Sequence, residues 1–166
     1  MKHMRAMTAV TNPLVNSYKR LVPGFEAPIH ITWSESHRRP LIRIPVERGE
    51  STRIELRCPD PAANPYLALA VCLSAGLDGI KNQILPPEPV GTSVMEMSIE
   101  EQRALKIQTL PATLNEAVDE LEKDSLLCEV LGEHISRKYV EEKRAEWEDY
   151  CKQVTEWEIN NYLYRI

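Results

Sequence analysis

Hydrophobic positions change their period partway along this chain. "IHITWS", "LIRIPV" and "TRIELRC" are short runs rich in β-branched residues, separated by "ESHRRP" and by "ERGES" around Gly49. They read as three strands, and their short links favour antiparallel pairing. In the third run, alternation puts Arg53, Glu55 and Arg57 on one face and Ile54, Leu56 and Cys58 on the other. The period then turns helical. "DPAANPYLALAVCLSAGLDGI" predicts a helix with Asn64 as N-cap and Pro65 at the first helical position. Tyr66, Leu67, Leu69, Val71, Leu73 and Leu77 cover most of its circumference, which predicts burial. "LPPEPVG" predicts an extended, mobile connection. Thr113 and Glu116 form a capping-box pattern ahead of Leu114, Ala117, Val118 and Leu121. Beyond it, Ile135, Tyr139, Trp147, Tyr150, Cys151 and Val154 recur at helical spacing among Glu, Lys and Arg, a solvated face. The closing "INNYLYRI" carries apolar and aromatic residues that suggest burial against another subunit.

The opening "KHMRAMTAV" has helical content without a preceding cap, which predicts that this fold does not naturally start at Met1. A loop with turn signals at Asn12-Pro13 and Pro23-Gly24 follows, carrying Lys19, Arg20 and Glu26. The expected fold is α+β: a short antiparallel sheet backed by a buried helix, then a mostly helical C-terminal third. The expected segments are a loop and sheet over 1–61, the buried helix over 62–82, a connection over 83–112 and a helical tail over 113–166.

Composition narrows the possible functions. The 166 residues are 43% hydrophobic and 27% charged, enough for one domain with a core. The formal net charge of -5 argues against a general nucleic-acid binder. The sequence has no apolar run long enough to span a membrane and no signal-peptide pattern at its start. Cys58, Cys72, Cys128 and Cys151 lie far apart with no C-x-x-C pair, and read as reduced, buried thiols of a cytoplasmic protein.

The charged face of the sheet is the candidate chemistry. Arg43 lies on the second strand, Arg38 and Arg39 in the turn before it, and Arg20 in the loop. One reading is an ordinary wet face with cross-strand Arg–Glu pairs. The other is a polyanion site, with guanidinium forks matching phosphate and carboxylate oxygens and one Glu supplying an oxygen to a divalent metal. His30, His37 and His134 lack partners at metal spacing and read as ordinary residues, as does Lys19.

The quoted motifs carry a resemblance. "NPLVNSYKRLVPGFEAP", "IRIPVERGESTRIELRCPDPAANPYLALA" and "AGLDGIKN" resemble the C-terminal part of a class I (bacterial) glutamine synthetase. The similarity runs from about Lys2 to the end, densest over residues 11–82. It implies ATP-dependent ligation of ammonia to L-glutamate through γ-glutamyl phosphate, with Mg2+ or Mn2+, in a homo-oligomer of stacked rings. It implies catalytic roles for Glu26, in a flap, and Arg38. Arg20, Glu26, Arg38 and Arg57 would bind glutamate, Arg38, Arg43 and Arg53 would bind ATP, and Glu55 a metal. It further implies that the family's N-terminal β-grasp domain and remaining metal ligands are absent, leaving a fragment inactive alone. Met95 stands where some relatives carry an adenylylated tyrosine. Two alternatives stay open: a γ-glutamyl-polyamine or amine ligase of the same family, and a non-catalytic structural fragment.

Overall fold

A computed structural model describes all residues except 26, 36–38, 92–93, 164 and 166. The chain forms α1 (Met4–Thr11), a 3-10 turn (Val15–Lys19), β1 (Trp33–Ser34), β2 (Ile42–Arg43), β3 (Glu55–Leu56), α2 (Pro65–Lys81), α3 (Ile99–Ala104), α4 (Leu114–Lys123), α5 (Ser125–Leu131), α6 (Glu133–Cys151) and α7 (Glu156–Tyr162). The α+β class expected from the sequence is what the chain adopts.

The uncapped opening segment is the centre of the molecule. Met4, Ala6, Met7, Ala9 and Val10 of α1 are all buried, and α1 packs against α4 and α2. Its buried hydroxyls are satisfied locally: Thr8 Oγ1 donates to Met4 O at 2.8 Å and Thr11 Oγ1 to Met7 O at 3.1 Å. Leu114, Ala117, Val118 and Leu121 recur at the i, i+3, i+4, i+7 spacing of one helical face, and all four are buried. Burying a Val or Leu side chain of this kind stabilises by about 1.5–3 kcal/mol. Thr113 caps α4 by accepting the Glu116 N–H, but the Glu116 carboxylate accepts from Ala112 N rather than from the cap residue's own N–H. The box is half made, one residue early. Tyr139 on α6 donates its hydroxyl to Ala9 O at 2.8 Å, tying α6 to α1.

His3, unremarked in the sequence, is a buried bridge. Nε2 lies 3.0 Å from Asp78 Oδ2 near the end of α2, and Nδ1 lies 2.5 Å from Asp124 Oδ2 at the α5 N-cap. The His3 hydrogen bond, then Lys2, holds Asp78 below the usual carboxylate range.

The sheet is small, ordered β1-β2-β3. β2 and β3 are antiparallel, with Arg43 opposite Glu55. β1 and β2 run parallel, with Trp33 opposite Ile42, against the expectation of antiparallel pairing throughout. Parallel strands ordinarily need a long crossover. Here each strand is two residues long, so the chain between Ser34 and Ile42 has little distance to cover. Pro40 and Pro45 flank β2 and remove ladder donors, which keeps it short. The segment before β1 pairs elsewhere: Ile31 N donates to Gln108 O and Leu110 N to Ile29 O.

Four further expectations change. The all-round apolar helix α2 forms with Asn64 as its cap, yet only Val71 of it is buried. One side packs on α1 and α5; no described element covers the opposite side. Ile54, expected in the core, is 70% exposed, because the third strand begins only at Glu55. The Pro-rich connection is extended but pinned: Trp33 Nε1 donates to Pro87 O at 2.6 Å and Val90 N to Trp33 O at 3.0 Å. The helical tail also breaks, because Thr155 and Glu158 form a capping box that starts α7.

Candidate active site

Two neighbouring constellations grow from the β2–β3 ladder. In the first, Arg43 Nη1 donates to Glu55 Oε2 at 2.9 Å and Arg53 Nε donates to Glu55 Oε1 at 3.0 Å. One carboxylate therefore sits between two guanidinium groups. The hydrogen bond from Arg43 is the largest influence, and with Arg53 it holds Glu55 below the ordinary Glu range. Arg53 also donates Nη1 to Ser51 O, which turns its side chain back along the strand.

The second is an open cleft of about 490 Å³ lined by Arg20, Phe25, Ala27, Pro28 and Arg57. Arg20 follows the 3-10 turn and reaches across to the β3–α2 connection. Its Nη2 donates to Cys58 O at 2.5 Å and to Pro59 O at 3.1 Å, while its buried Nε has no partner. Arg57 N–H donates to Leu41 O and so extends the β2–β3 ladder. Glu55 and Arg57, two apart on that extended segment, share a face. The wall beneath is firm: Cys58 is fully buried, and Asp60 N donates to Thr11 O at the end of α1. Burial pushes the Cys58 thiol up to about 12, so it is a packed neutral group.

The structure thus brings together Arg43, Arg53 and Glu55, and separately Arg20 with Arg57. Glu26 and Arg38 lie outside the described residues. Sequence reading missed Phe25 as a cleft wall and the Cys58 and Pro59 carbonyls as the anchor of Arg20. Backbone acceptors leave no signal in side-chain pattern; Phe25 left one, an apolar residue in the turn after Gly24. His30 pairs with Thr109 through the backbone, and burial lowers its pKa, in keeping with an ordinary structural role.

The donor set does not make a metal centre by itself. Glu55 has both oxygens engaged by arginines, and among the described residues there is no group of three or more His, Cys, Asp or Glu side chains able to hold an ion.

The profile of the glutamine synthetase catalytic domain matches residues 1–162. This chain belongs to the glutamine synthetase catalytic-domain family. It is 53% identical over 163 residues to the glutamine synthetase of Methanocaldococcus jannaschii, covering 98% of this chain and 36% of that protein. Against the glutamine synthetase of Thermotoga maritima it is 52% identical, covering 99% of this chain and 37% of the relative. Two solved structures of GmaS, one without ligand and one an ADP complex, superpose with TM-scores of 0.81 and 0.83 at 41% identity. They cover 98% of this chain and 36% and 37% of theirs. The chain therefore spans little more than a third of the length of the family members it matches. Among the described residues no helix is long and apolar enough to cross a membrane.

Proposed function

We propose that this chain carries the anion-binding part of a glutamate–ammonia ligase site. The observation that carries the reading is the Arg43–Glu55–Arg53 cluster beside the Arg20–Arg57 cleft. In the proposed reaction the glutamate γ-carboxylate attacks the terminal phosphorus of ATP and ADP leaves. Ammonia then attacks the acyl carbon, phosphate departs with the bonding pair, and a proton is lost from nitrogen.

Each step moves negative charge between oxygens, so the catalytic demand is positioning and charge neutralisation. Guanidinium groups suit it, since they donate in fixed forks and stay protonated, so they do not compete with ammonia as nucleophiles. Arg43 and Arg53 face ATP phosphates in this reading; Arg20 and Arg57 take glutamate carboxylates. Glu26 is the flap residue that helps deprotonate ammonium, and Arg38 touches substrate and the transferred phosphoryl group. Glu55 is proposed as one oxygen ligand of a Mg2+ or Mn2+ whose remaining ligands are not found among the described residues. The chain alone is then inactive, and the complete enzyme is a homo-oligomer. Identity of 52–53% to proteins named glutamine synthetase supports ammonia as the nitrogen donor.

Calorimetric titration of the purified chain with ATP tests the assignment. Weak binding lost in both Arg43→Gln and Arg53→Gln is expected. ATP binding indifferent to both substitutions sinks the phosphate reading, and ATP- and ammonia-dependent glutamine formation by the chain alone sinks the inactivity.

A further inference from the structure

His3 occupies the N-cap position of α1, yet its side chain makes no capping hydrogen bond. The ring reaches instead to Asp78 near the end of α2 and to Asp124 between α4 and α5, and His3 is only 6% exposed. Both ring nitrogens face carboxylate oxygen, Nε2 at 3.0 Å from Asp78 Oδ2 and Nδ1 at 2.5 Å from Asp124 Oδ2. An ionised carboxylate only accepts, so a ring between two of them has to donate from both nitrogens. A neutral imidazole carries one N–H and falls one short. Other donors also hold each carboxylate ionised. Asp78 Oδ2 accepts from Lys2 Nζ at 3.2 Å and Oδ1 from Asn82 Nδ2 at 2.7 Å; with the His3 bond as the largest influence, these keep Asp78 below the usual carboxylate range. Asp124 Oδ1 accepts Leu127 N at 3.2 Å as the N-cap of α5. The nearby Cys128 thiol is pushed up by burial first and then by Asp124, so it adds no further negative charge.

We propose that His3 is a pH-sensitive clamp: its doubly protonated ring ties α1 to α2 and α5, and loss of one ring proton releases the α2 arm. Among the described groups at this junction, Lys2 and the imidazolium balance the carboxylates of Asp78 and Asp124. A neutral ring leaves negative charge in excess around carboxylate side chains that are 12% and 13% exposed, where unbalanced charge is costly. The proton that leaves is the one on Nε2. Asp124 Oδ2 lies closer to the ring and has no other donor among the described residues, so it keeps the remaining N–H. Asp78 still has Lys2 and Asn82. Nε2 then turns a lone pair toward Asp78 Oδ2, and the two repel. The clamp is therefore closed on the acid side, down to the pH at which the carboxylates themselves protonate, and opens as pH rises. It stands at the start of α1, whose far end accepts Asp60 N at Thr11 O and so supports the segment that holds Arg20.

Nitrogen-15 spectra of the histidine rings in the intact chain test the proposal. At about pH 6, His3 is expected to show both ring nitrogens in the protonated range, a signature that packing alone does not produce. As the pH is raised to about 10, Nε2 should move to the unprotonated range while Nδ1 keeps its proton. The urea midpoint of the wild type should fall over the same interval by more than that of His3→Gln, because glutamine cannot change charge. An unprotonated ring nitrogen at about pH 6, a proton lost from Nδ1 rather than Nε2, no proton lost by about pH 10, or an equal fall in the two proteins overturns the proposal. The spectra need only the wild type, so the test stands even where the variant does not fold.

Discussion

Arg43 and Glu55 are direct cross-strand partners, and their side chains meet at 2.9 Å on the face of the sheet that Arg53 also reaches. The pair turns a two-residue ladder into a charged platform. It also fixes which way Glu55 titrates. Its folded pKa lies below its unfolded one, so the pairing adds stability above the unfolded Glu value and is lost as pH falls through the folded value. A carbon-13 titration of Glu55 is expected to show a midpoint below that of ordinary Glu. In Arg43→Gln the midpoint should move upward; an unmoved midpoint would show that Arg43 does not set it.

Arg20 holds the β3–α2 connection through two backbone carbonyls. Arg20→Met leaves both acceptors unpaired, and a hydrogen bond to a charged group contributes about 1.5–3 kcal/mol. Urea denaturation should register a loss in that range. A loss under about 0.5 kcal/mol, the ordinary scatter of surface substitutions, would mean that the contact does not hold in solution.

His3 joins helices α1, α2 and α5 through Asp78 and Asp124. Removing the ring that both carboxylates share leaves two hydrogen bonds unmade, and a hydrogen bond to a charged group contributes about 1.5–3 kcal/mol. His3→Ala is expected to lose stability in that range, and His3→Ala/Asp78→Asn should recover part of it. Strict additivity in that double-mutant cycle would count against coupling between the two residues.

The four thiols are free and differ in burial: Cys58 is buried and Cys151 exposed. A thiol reagent at mildly alkaline pH should label Cys151 rapidly. Cys58, its thiol pushed up to about 12, should react only after denaturant is added. Equal rates for the two in the folded chain would contradict the packing around Thr11 and Cys58.

Local chemistry determined much of this protein directly from the sequence. Asn64-Pro65 starts α2 because an amide side chain can accept orphan helix N–H groups and proline needs no partner there. The α4 stripe follows from its period, and the charged side of the third strand follows from alternation, so Arg43, Arg53 and Glu55 were nameable before any coordinates. Contacts distant along the chain were decided only by the fold. The parallel β1–β2 pairing, the His3 bridge spanning 121 residues to Asp124, and the turn of Arg20 onto Cys58 and Pro59 join segments whose local patterns do not refer to one another. Burial was divided in the same way. Periodicity made α2 apolar all round, but which of its faces meets α1 and α5 depended on where those helices stand, since hydrophobic attraction has no direction of its own.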